Sequence, residues 1–286
     1  MDATLAQPRL RGDLFERHVQ LACLLEVSAD KPGNVTPAHD FSDMTYADMV
    51  RSALALGPVF ARRRTRVRSV GELISDGVRA TARVAATNTN LGIVLLFAPL
   101  VRAAATRREH ETLRSATERI LAGLDVDDAA AAFAAIARAR PGGLGEAPEH
   151  DVREPAAVSL REAMAAAAHR DGIASEYATG YAVVFDIGLP WLADALRHGV
   201  PTLEAIVSLH LSLLAARPDT LIARKAGAGA ARAVSAAARE VLAGTRSLAD
   251  FDASLRGPDH RLNPGTTADL VAGTLLAALL SGVRLP

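Results

Sequence analysis

Apolar residues recur at three- and four-residue spacings through most of the chain, the repeat of one helix face, and proline, glycine and asparagine punctuate the runs. Leu14, His18, Leu21, Leu24 and Leu25 make one such stripe, which predicts a first helix over 12–28 stopped by Pro32-Gly33. A loop over 31–44 follows. Further helices are predicted over 46–56, 70–86, from Leu91 onward, and over 110–122, 126–138 and 156–170. A helix carrying Glu176, Tyr177 and Tyr181 then runs to about His198 with a break at Pro190, ahead of helices over 202–216, 219–242, 247–255 and 266–282. Residues 140–154 read as a loop. Period-two alternation is scarce, so little strand is expected.

Composition sharpens this to an all-α fold. Half the residues are apolar but only 4% are aromatic, and alanine and leucine, the strongest helix formers, supply most of the apolar content. No repeat or flexible charged linker divides the 286 residues, so 1–286 is read as a single compact multi-helix domain. Lys plus Arg equals Asp plus Glu at 32 each, which removes the electrostatic case for nucleic acid. The one basic run, Arg62 to Arg68, reads as a solvated loop or a local anion contact. The lone Cys23 sits in an apolar helical run and reads as packing, in a reducing compartment. The first residues lack the apolar core of a leader, and no apolar run reaches the roughly 18 residues of a membrane span, so a cytoplasmic protein is expected.

The informative residues are those that interrupt the pattern, because loop-to-helix junctions expose free N–H groups at the positive end of a helix dipole. Five interruptions share that style and place the active site at helix termini. The first, Lys31-Pro32-Gly33-Asn34-Val35, offers a cation and a close-approach glycine, and Asp40 and Asp43 follow near enough to share a magnesium ion. The second is Thr87-Asn88-Thr89-Asn90-Leu91-Gly92. The third runs from Asp171-Gly172 to Glu176 and Gly180. The fourth is Asp219-Thr220 with Arg224, which is a better candidate than its neighbour Lys225. The fifth, Asn263-Pro264-Gly265-Thr266-Thr267-Ala268-Asp269, sets a carboxylate just inside a strongly apolar helix, where it needs a metal, a cation or donors. Each has a structural reading too, as a helix stop, a cap or a solvated acid.

In this order, Lys31-Pro32-Gly33, Asp43-Met44, Asn88-Thr89 with Gly92, Glu176 with Gly180, Asp219-Thr220 with Arg224, and Pro264-Gly265 with Ala268-Asp269-Leu270 resemble the motifs of the triphosphoribosyl-dephospho-CoA synthase family across nearly the whole chain. The resemblance implies a pentosyltransferase in which a ribose hydroxyl of dephospho-CoA attacks the anomeric carbon of ATP, adenine leaves, and the triphosphate stays on the transferred sugar. Under it, Lys31 and Arg224 hold phosphate, and Asp40, Asp43 and Asp269 organise Mg²⁺ or triphosphate. Glu176 and Asp269 are the catalytic carboxylates, Glu176 as general base or oxocarbenium stabiliser. Gly33, Asn34, Asn88, Thr89, Asn90, Gly92, Asp219, Gly265 and Thr266 become nucleotide-binding positions. The chain departs from the family pattern at Asn90-Leu91 in place of His-Lys, at Ala174-Ser175 where an arginine precedes the glutamate, and at Thr266-Thr267 in place of Gly-Ser. A different alcohol acceptor, the ribitol-bearing precursor of a methanopterin-type one-carbon carrier, is therefore a second reading. A non-catalytic nucleotide-binding helical protein is a third. A homodimer paired through alanine-rich helices and a monomer are both allowed.

Overall fold

Capping chemistry decides where most helices begin. Side-chain oxygens of Asp13, Thr45, Ser69, Thr112, Asp125, Ser159, Asp171, Asp219 and Ser247 each accept a backbone N–H in the first turn of the helix that follows. Each such cap contributes about 1 kcal/mol. The computed structural model describes residues 13–145, 147 and 149–285; the N-terminal segment expected to lack a leader lies outside them. The helices are α1 (Leu14–Ser28), α2 (Tyr46–Leu56), α3 (Arg62–Thr65), α4 (Val70–Thr81), α5 (Leu91–Ala105), α6 (Leu113–Ala122), α7 (Val126–Ala139) and α8 (Leu160–Ala167). They continue as α9 (Gly172–Thr179), α10 (Leu189–Arg197), α11 (Thr202–Ala216), α12 (Thr220–Ala226), α13 (Ala228–Leu242), α14 (Leu248–Leu255) and α15 (Gly265–Leu280). No strand occurs among the described residues. The all-α expectation holds.

Two almost wholly buried helices, α5 and α15, pack on each other at the centre, with α1, α4, α6, α9 and α11 against one or both. A second core lies where Ile222 of α12, Val234 of α13 and Phe251 and Leu255 of α14 meet Leu211 and Leu214 of α11. Proline inside α5 leaves a mark on the core. Pro99 has no N–H to give the carbonyl four residues back, and the Tyr177 hydroxyl donates to that Leu95 carbonyl at 2.7 Å. The Tyr181 hydroxyl donates to the next one, Leu96 O, at 2.9 Å. Both tyrosines are fully buried, so the two bonds fasten the α9 region onto α5.

Four expectations change. The buried face of α1 is Phe15, Val19, Ala22, Cys23, Glu26 and Val27, while Leu14 and Leu21 face out; small Ala22 and Cys23 allow close packing that the leucine stripe does not. The helix expected over 219–242 breaks at Gly227, whose φ of 91° leaves the helical region. The break expected at Pro190 falls instead at Gly180 and Tyr181, both left-handed, and Pro190 sits where a π-helical turn over Val183–Gly188 runs directly into α10. The helices expected over 70–86 and 156–170 are shorter, ending at Thr81 and Ala167. The basic run forms the short α3 and surface ion pairs, Arg64 with Asp76 and Arg68 with Glu72. Cys23 is buried, and burial pushes its thiol up, away from reactivity. Among the described residues no single helix is long and apolar enough to cross a membrane; α11 and α12 together reach that length and composition but are bent by 60°.

Candidate active site

Three helix starts are tied together by side chains from the sequence interruptions. One oxygen of Asp219 caps α12 through Leu221 N and Ile222 N, and the other accepts from Thr267 N at 2.7 Å and Thr267 Oγ1 at 2.8 Å in the first turn of α15. Thr220 Oγ1 accepts from Gly172 N of α9 and donates to Thr266 Oγ1, both at 3.1 Å. The N-termini of α9, α12 and α15 therefore converge, and their dipoles place partial positive charge on one region. The start of α5 joins them. Asn88 Oδ1 accepts Leu91 N, and the Cβ-free Gly92 lies so close to Asp269 that a methyl there would stand 2.0 Å from Oδ2.

These ends wall a cavity of about 1090 Å³, large enough for nucleotide-sized ligands. Its lining carries charges of both signs. Arg138, Arg140, Arg170, Arg224 and Lys225 line it as cations, and Glu26, Asp43, Glu149, Asp151, Asp171 and Asp269 as acids. Arg224 pairs with Asp171, the cap of α9. The Nε of Arg170 and of Arg224 are both buried with no hydrogen-bond partner, an expensive state for a guanidinium that a ligand anion would relieve. No donor among the described residues reaches the Asp269 carboxylate. Burial, with Glu26, Asp219 and Asp171 as like charges, drives its pKa well above the usual carboxylate range, against the opposing pull of Arg224.

A family model described as ATP:dephospho-CoA triphosphoribosyl transferase matches residues 13–285. The chain belongs to this family. A curated relative in Stutzerimonas stutzeri (strain A1501), named as a 2-(5''-triphosphoribosyl)-3'-dephosphocoenzyme-A synthase, is 28% identical over 270 residues, covering 86% of this chain and 83% of its own. A crystal structure titled as a triphosphoribosyl-dephospho-CoA synthase from Archaeoglobus fulgidus has the same fold, with a TM-score of 0.65 at 24% identity, covering 82% of this chain and 99% of that one. The family is one of pentosyltransferases, so the chain is placed among enzymes.

Within this transferase, the residues picked out by sequence divide into cavity wall and scaffold. Asn34, Asp43, Asn88, Thr89, Gly92, Arg224, Gly265, Thr266 and Asp269 line the cavity. Lys31 does not. Its ammonium donates to Glu26 O and to Ala29 O at 3.3 Å and pairs with Glu26 Oε1 at 2.9 Å. All three of its protons are thereby engaged, so the expected phosphate contact gives way to a cap on the end of α1. Gly33 is also scaffold: with φ at 72°, its N–H bonds Asp252 Oδ1 at 2.8 Å and a Cβ would strike Leu255. Asp219 is spent on its helix starts. Asp40 is exposed and bonds Tyr46 N at 2.6 Å. Asn90 is buried outside the lining with an unpartnered Oδ1.

Glu176 is the largest correction. It is fully buried away from the cavity, and its two oxygens accept Val183 N and Val184 N, each at 3.0 Å, across the break at Gly180 and Tyr181. Burial raises its pKa, and the two N–H bonds oppose the rise. A carboxylate committed to two backbone donors cannot reach a substrate. The charged wall residues not picked out by sequence include Glu26, Arg138, Arg140, Glu149, Asp151 and Arg170, while Lys225, the weaker candidate beside Arg224, lines the cavity as well. Glu26 gave no signal, because the leucine stripe pointed to a different face of α1 from the one that is buried. The arginines sit at helix ends, where exposure is the rule.

Proposed function

We propose that the chain transfers the triphosphoribosyl group of ATP to a hydroxyl of dephospho-CoA and releases adenine. The observation that carries this reading is one cavity joining two arginines with unpartnered Nε groups to the Asp269 carboxylate, which no donor among the described residues reaches. Family membership supplies the donor and acceptor classes. Arg170 and Arg224, with the converging starts of α9, α12 and α15, suit a triphosphate, since guanidinium forks and helix N-termini both favour phosphoryl oxygens. The anomeric carbon gains positive charge as adenine departs, and a carboxylate stabilises it by charge.

Magnesium fits the lining carboxylates. Among the described residues no three His, Cys, Asp or Glu side chains gather around a metal position, but magnesium bound with phosphates needs only one or two carboxylates. Asp269, raised in pKa by burial and by like charges and without a donor, is the group that would hold such an ion, with Asp43 on the same wall. Bound there, the ion would neutralise the triphosphate. Gly92 keeps the space that the Asp269 carboxylate occupies.

The test is chromatographic detection of free adenine from ATP with dephospho-CoA. Adenine formed in step with a triphosphoribosylated acceptor supports the reading. Adenine released only with a ribitol-bearing pterin precursor replaces the acceptor. ATP binding with no adenine from either acceptor leaves a nucleotide-binding protein and rejects transfer.

A further inference from the structure

We propose that Glu26 is the base that takes the acceptor's hydroxyl proton, and that Lys31 is the residue that positions it. The proposal rests on the transferase reading above and fills the role that Glu176 leaves empty. Glu26 lies near the C-terminal end of α1, lines the cavity, and is 4% exposed. A lone carboxylate so placed would be costly to bury, and the fully buried Lys31 supplies its counter-charge at 2.9 Å. The geometry is asymmetric. Lys31 holds Oε1, while no donor among the described residues reaches Oε2. Lys31 is itself held by the Glu26 and Ala29 carbonyls. Three fixed acceptors around one ammonium leave it a single orientation, and that orientation fixes the carboxylate at the cavity wall.

Structural work alone does not explain this pairing. An α1 end needs only its carbonyls satisfied, which the Lys31 ammonium does without Glu26. Glu26 and Asp269 line the same cavity, and the Glu26 charge adds to the effect of burial in raising the Asp269 pKa. Two carboxyl groups so placed are unfavourable for folding and fit a site that must meet cationic character. In the step itself, the acceptor hydroxyl oxygen forms a bond to the anomeric carbon as the bond from that carbon to adenine N9 breaks. The bonding pair leaves with adenine, which takes a proton from solvent. The hydroxyl proton passes to Glu26 and then to solvent, so no net proton is gained or lost.

The experiment measures adenine release and ATP affinity for Glu26→Gln, Lys31→Met and the double variant. Glu26→Gln should lower kcat by about 10²–10⁴-fold and leave the KM for ATP within about threefold. Lys31→Met should lower kcat too, through misplacement of Glu26. The double variant removes both charges, and neutral replacements of a buried pair are commonly tolerated, so it should recover thermal stability and stay as inactive as Glu26→Gln. Recovery of activity in the double variant makes the pair purely structural and overturns the proposal. So does kcat within about threefold of wild type in Glu26→Gln. Absence of adenine release by the wild type overturns the transferase reading, and this proposal with it.

Discussion

Individual side chains here do work that their residue type does not announce. Lys31 looks like a phosphate ligand and caps a helix; Glu26 looks like one more helical acid and faces the cavity. Gly92 makes room for one carboxylate. Gly92→Ala should displace the flexible end of Asp269 rather than the backbone, because the atom a new methyl meets is Oδ2. We expect a folded protein with a melting temperature near wild type and kcat reduced by about 10²-fold or more, the scale of losing a group that acts on developing charge; steady-state assay with a thermal melt checks both. His210 is fully buried, neither ring nitrogen has a partner, and burial with the nearby Lys31 charge lowers its pKa well below 6.5. The folded state therefore binds fewer protons than the unfolded state below pH 6.5. Its contribution is complete above that value and is lost as pH falls toward the lowered pKa, at up to about 1.4 kcal/mol per pH unit. Subtracting the stability of His210→Leu from wild type across pH 5 to 8 isolates the term. A difference that stays flat across that range contradicts a neutral buried ring.

At the scale of elements, the break between α9 and α10 is held by compensations for lost helical bonds. Pro99 frees the Leu95 carbonyl, which Tyr177 then occupies, whereas the Leu96 carbonyl bonded by Tyr181 also has its helical donor at Leu100. Tyr177→Phe should therefore cost about 1–3 kcal/mol by stranding a buried carbonyl, and Tyr181→Phe less, in chemical denaturation compared side by side. Glu176 spans the same break. Glu176→Gln turns one acceptor into a donor facing an N–H, with an expected loss of about 2 kcal/mol, or roughly 4–8 °C in melting temperature. The KM for ATP should stay unchanged; a tenfold rise would return Glu176 to the site. Both predictions concern α9, whose start carries Asp171 into the cavity.

Across the whole molecule, the cavity exists because three helix starts distant in sequence are bound by Asp219, Thr220, Thr266 and Thr267. Arg170 brings a guanidinium to that wall from the end of the α8 region. Arg170→Gln should raise the KM for ATP about tenfold or more, the value of one charge-assisted contact, with little effect on adenosine binding and an unchanged circular dichroism spectrum. Equal losses for ATP and adenosine would take Arg170 off the phosphates. The helices, their capped starts and the five interruptions were legible in the chain because they depend on local propensity, period and caps within a few residues. The family was legible from the order of its motifs. Which face of α1 is buried was not, since size alone favoured leucines that the packing turned outward. Nor was the division of the motif residues between wall and scaffold: Lys31, Asp219 and Glu176 have the chemistry of ligands, and only the neighbours that tertiary packing supplied show that their donors and acceptors are already used. Local sequence determines what a group can bond, but the partners that saturate it, or leave Arg170, Arg224 and Asp269 open to the cavity, come from segments far along the chain.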